Sequence, residues 1–386
     1  MNRFIAISIL FIFVAVLFFI TLFPQESDAI PAFARKYTVN CSNCHIAWPM
    51  LNKTGRNFKE NGYKFASNGE TQVISDFLQW DKTFPVTAVI TSRPYDEKKS
   101  GDRKIRALHE VELVVAGVFY KSVSGFFEIE AEDEKDFEPE VPVGVLGYHP
   151  FNALNLQLSY SPLLWADPYD TYAHHRLLTR GAYSVIDKEF GGADNGGSLG
   201  DSRQTIAIYG RPIDKLFYSI GFSGVAKDSE GENAHNLHAR LALDIIPEAT
   251  IGLFGMSGRW EHDNIKRDFS RIGLDIQADF SNVRFMGAYL HAEDDLDITE
   301  DENNNAWYAQ VLYVFQKNSR PLIVPIVRYD GYEKNDGNDQ FDELTFNAGY
   351  YFTQNIKGFI EYWTQTDVPK GVPKDNRFTV QLVAAF

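Results

Sequence analysis

The feature that most constrains this chain is its last strand-like segment. Phe378, Val380, Leu382, Ala384 and Phe386 alternate with Thr379, Gln381, Val383 and Ala385, and the aromatic Phe386 is the final residue. Similar alternation recurs after residue 80. Leu154, Leu156, Leu158 and Tyr160 alternate with Asn155, Gln157 and Ser159. Leu237, Ala239, Leu241, Leu243 and Ile245 alternate with His238, Arg240, Ala242 and Asp244. Ile272, Leu274, Ile276 and Ala278 alternate with Arg271, Gly273, Asp275, Gln277 and Asp279. A period of two is the signature of a strand with one apolar and one polar face. A soluble sandwich also alternates, with its apolar face turned inward, so the period alone does not fix the architecture.

The connections narrow the choice. Residues 212–215, 247–249, 280–282, 316–320 and 353–355 are short. Residues 227–235, 261–268, 293–305, 333–340 and 367–376 are longer and polar. Short periplasmic turns and long external loops alternate in this way in outer-membrane barrels. A final amphipathic strand ending in an aromatic also resembles the assembly signal of such proteins. Counting back from Phe386, residues 94–104 fall outside, 120–122 inside and 132–150 outside. The parity closes with one more strand between Tyr160 and Arg203, for which 181–186 is the best segment. The expectation is an all-β, antiparallel outer-membrane β-barrel of about 16 strands with both ends in the periplasm.

The first thirty residues read as an export signal. Arg3 supplies the basic start, 4–23 is apolar almost throughout, and Ser27-Asp28-Ala29 is a small-x-small cleavage site. The competing reading is an uncleaved inner-membrane anchor, since the apolar run is long enough to span a bilayer. Both readings take the rest of the chain out of the cytoplasm. The net charge of −15 excludes a nucleic-acid binder and favours attraction of metal cations.

The chain has two cysteines, Cys41 and Cys44, and they belong to Cys41-Ser42-Asn43-Cys44-His45. This is the C-x-x-C-H spacing of c-type haem attachment. Two thiols add to the two vinyl groups of one porphyrin, and the adjoining histidine is held under the iron as the proximal ligand. The competing reading is a redox or structural cysteine pair beside a chance histidine. Asn52 is the predicted N-cap of a helix over 53–61, stopped at Gly62. Phe58, Tyr63 and Phe65 either cover a porphyrin face or simply pack together. A segment of about forty residues rarely stands alone, even with a haem as staple, so the rest of the chain must shield the cofactor. The domains are therefore 1–29 signal peptide, 30–70 small helical c-type haem segment in or at the lumen, and 71–386 porin-like barrel.

The residues Phe33-Ala34-Arg35, Cys41-x-x-Cys44-His45, Pro49-x-Leu51, Gly55-Arg56-x-Phe58-Lys59 and Asn61-Gly62-Tyr63 resemble the N-terminus of the fused monohaem cytochrome–porins of iron-oxidising bacteria. The segment His175-Arg176-Leu177-Leu178-Thr179-Arg180 adds to the likeness. The resemblance implies one haem c in or at the mouth of an outer-membrane barrel. It also implies electron entry from extracellular Fe(II) and delivery to a periplasmic cytochrome, an iron:cytochrome c oxidoreductase type of activity. The alternatives are a transport porin with a structural haem plug and a haem peroxidase.

His45 is the proximal iron ligand in this reading, and the sixth position stays open. Met286 is a candidate because Arg284, Met286 and Ala288 are expected to face the lumen while Val283, Phe285 and Tyr289 face lipid. His238 is also on an expected lumen face, and His174 and His175 lie in a long segment able to fold inward. Five-coordinate iron is a further option. Met50 follows His45 too closely to reach the opposite haem face. Acidic clusters at 130–140 and 293–302 are expected in external loops, bridged to lipopolysaccharide by divalent ions or, less simply, holding iron.

Overall fold

The computed structural model describes residues 32–65, 71–73, 79–81, 86–98, 101–172, 177–179, 197–231, 235–262, 265–297, 300–334 and 336–386. The export signal, His174, His175 and the segment 181–186 lie outside the described residues.

The chain closes into an antiparallel barrel of sixteen strands. They are β1 (Val86–Lys98), β2 (Arg103–Tyr120), β3 (Val123–Glu132), β4 (Glu140–Phe151), β5 (Leu154–Ser161), β6 (Arg203–Ile213), β7 (Leu216–Ser223) and β8 (Asn236–Ile246). There follow β9 (Ala249–His262), β10 (Ile265–Phe280), β11 (Val283–Asp297), β12 (Glu300–Tyr313), β13 (Arg320–Lys334), β14 (Asp339–Tyr351), β15 (Ile356–Asp367) and β16 (Asn376–Ala385). Phe315–Lys317 continues β12 along the same neighbour, β13. The last strand pairs with the first, and the terminal Phe386 exchanges two backbone hydrogen bonds of 2.9 Å with Ala88. The seam is thus sealed by the residue that ends the chain, which leaves no open edge.

The expected count holds, but two strands differ from the expected path. Residues 140–151 form β4 rather than part of an external loop. Strand β5 pairs directly with β6, so no further strand enters between them. The reason lies in β4 itself. Pro142, Gly144, Gly147 and Pro150 interrupt its alternation and imitate a loop. Missing β4 and adding a later strand offset each other in the parity, and β5 therefore runs opposite to the expected direction. Two expected long loops are also shorter than expected: β9 reaches His262 and β10 starts at Ile265, while β11 reaches Asp297 and β12 starts at Glu300. Their polar residues belong to strands that extend beyond the apolar band.

Exposure decides what alternation could not. Leu274 is 57% exposed and Leu237 59%, whereas Arg240, Arg271 and Arg328 are at most 1% exposed. Apolar side chains point outward and charged ones inward, the reverse of a soluble sandwich. In water this outward face would forfeit roughly 25 cal/mol for each Å² of apolar surface left uncovered. In a bilayer it is the stable arrangement, so the barrel is built to span a membrane. Exposed Phe151, Phe280, Phe315 and Phe386 lie near the short turns, as in the aromatic girdles of such barrels.

Two parts of the chain lie inside the barrel. Residues 32–65 enter at the end carrying the short turns. The described residues of the long connection between β5 and β6 fold inward, burying Leu163, Tyr169, Tyr172, Leu177 and Leu178. Tyr308 Oη donates to Thr171 O at 2.8 Å, and Asn347 Nδ2 donates to Leu177 O at 3.3 Å. Ala47 and Met50 of the N-terminal segment share one apolar cluster with Leu163, Tyr172 and Leu177 of the connection and with Met286 and Ile326 of the wall.

Candidate functional site: the C-x-x-C-H segment in the barrel mouth

Cys41–Asn43 form a single 3-10 turn, closed by Cys44 N donating to Cys41 O at 3.1 Å. Helix α2 (Lys53–Glu60; α1 is Ala32–Tyr37) is braced against this turn by its own cap. Asn52 accepts from Gly55 N through Oδ1 at 3.0 Å, and its Nδ2 donates to the carbonyls of Ser42 and Asn43. Asn52 N donates to Cys44 O at 2.9 Å. One asparagine thus serves as N-cap and as clasp on the cysteine turn. Gly55 is required there, because a Cβ would lie 2.1 Å from Cys44 O. The helix stops where expected: Asn61 is the C-cap and Gly62 follows with φ +69°.

His45 opens a short hairpin of His45–Ala47 against Met50–Leu51. Its Nδ1 lies 2.9 Å from Pro49 O, which has no hydrogen to give, so Nδ1 carries the proton and donates. The lone pair is then on Nε2, the tautomer an iron ligand needs. Desolvation pushes the ring down to about 4, which keeps it neutral at neutral pH. Burial pushes the Cys41 thiol up to about 11, and Cys44 moves in the same direction.

The barrel wall grips this segment at the short-turn end. Tyr351 Oη donates to Trp48 O at 2.9 Å, and Lys357 Nζ donates to the same carbonyl at 3.1 Å. Arg284 Nη2 donates to Leu51 O at 2.8 Å. Cys41 N donates to Gln354 Oε1 at 2.9 Å. Arg211 binds Glu60 with two hydrogen bonds, of 2.6 and 2.8 Å. Arg56 pairs with Asp279 at 3.4 Å. Lys59 donates to Asp167 O at 2.9 Å and to Asp170 at 3.1 Å, joining the segment to the inward-folded connection. None of these partners was foreseen, although charged residues at lumen positions beside short turns were the available signal.

Phe58 packs edge-on to Phe33 at 5.0 Å and against Phe65 at 4.7 Å, while Phe33 stacks on Tyr63 at 5.5 Å. These aromatics therefore form the small core of the segment.

Cys41, Cys44 and His45 are the donor set that a c-type haem would need. Both cysteines are free rather than joined to each other. His45 presents Nε2. On the wall, the buried oxygens Gln310 Oε1, Asp330 Oδ1 and Thr345 Oγ1 have no hydrogen-bond partner among the described residues. Met286 and His238 both face the lumen, each about 1% exposed.

Charged side chains on the inner face of the wall are paired with one another. Arg240 pairs with Asp167 at 3.0 Å and Asp275 at 2.6 Å, and Arg271 with Asp294 at 2.9 Å. At the opposite end a cleft of 690 Å³ is lined by Arg259, Glu261, Asp268, Glu293, Asp295 and Asp301. Among the described residues no three His, Cys, Asp or Glu side chains converge on a metal position.

No family model matches the chain, and no curated protein matches it. Solved structures do. OmpT of Vibrio cholerae is similar at 12% identity and a TM-score of 0.59, over 82% of this chain and 100% of that one. The anion-selective porin of Comamonas acidovorans is similar at 12% identity and 0.59, over 78% and 98%. Salmonella typhi OmpF, in complex with daunomycin, is similar at 14% identity and 0.57, over 79% and 98%. At these identities the likeness is one of fold: the chain has the architecture of outer-membrane barrels of the porin kind.

Proposed function

We propose that this chain resides in the outer membrane and carries electrons, not solutes, across it through one covalently held haem c on Cys41 and Cys44, with His45 as proximal ligand. The observation that carries this reading is the presence of two inserts inside the barrel, held to its wall. The C-x-x-C-H segment occupies the short-turn end, and the inward Arg240, Arg271 and Arg328 are held in buried ion pairs. Short turns mark the periplasmic side of such barrels, so in this reading the segment would face a periplasmic cytochrome.

The haem supplies a one-electron centre when bound. The chain's own residues do the rest. Asn52 and Gly55 hold the cysteine turn, Pro49 fixes the tautomer of His45, and Arg284, Tyr351 and Lys357 hold the hairpin to the wall. Extracellular Fe(II) is the proposed donor. Its oxidised form precipitates near neutral pH, so chemistry that leaves the iron outside protects the cell. The exposed carboxylates of the long-loop end would concentrate the cation without a fixed site.

A second reading, a transport porin with a haem plug, is favoured by the likeness to an anion-selective porin and by the open cleft at the long-loop end. Two measurements on the purified protein separate the readings. Stopped-flow mixing of the oxidised protein with ferrous iron should reduce the haem within the mixing experiment, and planar bilayers should show little steady conductance. Porin-sized conductance with no reduction by iron would replace the first reading by the second.

A further inference from the structure

Charge is divided unevenly along this chain. The whole sequence carries a net charge of −15, yet residues 32–65 hold six basic side chains and one acidic one. That single carboxylate, Glu60, is buried and paired with Arg211. Arg56 and Lys59 are likewise committed, to Asp279 and Asp170. What the segment shows to solvent is therefore neutral or basic: Asn43 of the cysteine turn and Lys53, Thr54 and Asn57 of α2 are exposed.

Lys53 stands next to the cysteine turn, because the preceding Asn52 donates its backbone N–H to Cys44 O. It is also the first residue of α2, whose opening turn has no acidic side chain. A helix N-terminus carries partial positive charge, so a lysine there adds to the field instead of relieving it. The arrangement works against the helix and raises the positive potential beside the cysteine turn.

The surrounding rim has the same sign. The short turns expose Lys121, Lys215, Lys317 and Arg320, against Asp214 and Glu248. At the other end, the carboxylates Glu261, Asp268, Glu293, Asp295 and Asp301 outnumber Arg259 in the cleft. The two ends lie on opposite sides of a membrane, so the acidic end of a second copy cannot meet the basic face. Phospholipid phosphates reach rim turns on the outer wall. Lys53 instead sits on a helix strung across the mouth, between Leu51, held by Arg284 of β11, and Glu60, held by Arg211 of β6. A soluble protein with an acidic patch is the occupant that meets both rim and insert.

We infer that this basic face is the docking surface for a soluble electron-carrying protein that presents an acidic patch, with Lys53 as its contact beside the cysteine turn. The electron-carrying part rests on the function proposed above; the sign of the docking face does not.

Two assays test this on the full chain in nanodiscs of zwitterionic lipid, with folding checked by heat-modifiable migration on gels. The first needs no haem. A fluorescein-labelled oligoglutamate peptide is titrated by anisotropy against the wild type, Lys53→Glu, Lys53→Gln and a rim variant combining Lys215→Glu, Lys317→Glu and Arg320→Glu. The wild type should bind at low salt and lose about tenfold or more in affinity on a tenfold rise in NaCl. Lys53→Glu should weaken binding about threefold or more, and Lys53→Gln should fall between. Lys53→Glu also relieves the helix dipole, so the loss would not come from a damaged fold. A wild type that does not bind overturns the docking face. So does a loss confined to the rim variant, which would assign the rim charges to phospholipid phosphate.

The second assay reads the electron path. Reduced protein is mixed by stopped flow with hexacyanoferrate(III), an anion, or with tris(phenanthroline)cobalt(III), a cation. Each complex gains one electron as the protein's iron goes from Fe(II) to Fe(III). The ratio of the anion rate to the cation rate should fall about three- to tenfold in Lys53→Glu. An unchanged ratio means that electrons leave elsewhere and overturns the role of this face. A wild type that binds the peptide but shows no covalent haem on denaturing gels supports the docking face and overturns the electron-carrying part alone.

Discussion

The contact between Glu60 and Arg211 offers a quantitative test of how the segment is held in the mouth. Arg211 reaches from the short-turn end of β6 and forms a two-pronged pair with Glu60 on α2; the side chains are 13% and 9% exposed. Breaking a buried pair from one side costs about 3–5 kcal/mol when the partner is left alone. Arg211 would not be alone, because Tyr169 Oη lies at 2.8 Å and Asp244 Oδ2 at 3.3 Å. Glu60→Gln, which keeps the shape, should therefore cost about 2–3 kcal/mol. If the segment opens without the barrel unfolding, its amide exchange should quicken roughly 30- to 150-fold. Hydrogen exchange read by mass spectrometry on peptides spanning 53–63, in detergent micelles, measures this directly. Peptides from β8 serve as the internal control and should not change. Acceleration below about threefold, or equal acceleration in β8, would refute the reasoning, the first by showing that the pair contributes little and the second by showing that segment and barrel open as one.

Three other outcomes follow from the same geometry. Arg240→Ala leaves Asp167 and Asp275 buried and facing each other, at a cost of about 3–5 kcal/mol; the inward connection should loosen and bilayer conductance should rise, whereas wild-type conductance would mean that other contacts hold it. Leu274→Arg puts a charge on the lipid face near the middle of β10 and should cost about 2–4 kcal/mol of folding stability in lipid vesicles, measured by urea titration, while a neutral result would argue that this face does not meet lipid. Cys41→Ala should abolish haem staining on denaturing gels and lower the yield of folded protein; full staining would show that the cysteine turn is not the attachment point.

Much of the wall was legible because a membrane barrel writes its two faces into the chain with period two. Arg284, Met286 and Ala288 were expected inside and Phe285 and Tyr289 outside, and their exposures agree. The local features of the cysteine segment were legible for a similar reason: an asparagine before the helix and a glycine after it act over one turn. Strand β4 was not legible because its prolines and glycines suppress the pattern. Its identity is fixed by register with β3 and β5, which is tertiary information. The grip on the segment was hidden for the same reason. Arg211, Asp279, Arg284, Tyr351 and Lys357 lie 151 to 309 residues from the groups they hold in the clearest cases, and only barrel closure brings them to one rim. The inward fold of residues 162–172 after β5 had a weak signal, since Leu163, Leu164, Trp165, Tyr169 and Tyr172 are too apolar for a loop meant to stay in water.

The two inserts that lie inside the barrel depend on each other. A segment of about thirty-four residues buries too little surface to be stable alone, and its aromatic core of Phe33, Phe58, Tyr63 and Phe65 is correspondingly small. It borrows stability from two directions. The wall supplies hydrogen bonds to the carbonyls of Trp48 and Leu51. The connection supplies Asp167 O and Asp170 for Lys59, whose ammonium also sits 5.3 Å from the ring of Trp165. The same Asp167 is tied through its carboxylate to Arg240 on the wall. One aspartate therefore serves both inserts, with its carbonyl on the N-terminal segment and its side chain on the barrel. Releasing the connection would withdraw a partner from the cysteine segment, and losing the segment would expose the underside of the connection. A barrel of sixteen strands has room for a water-filled channel. Here that room is occupied by two inserts held through shared residues, so the order around the cysteine turn is a property of the closed barrel and not of the N-terminal segment by itself.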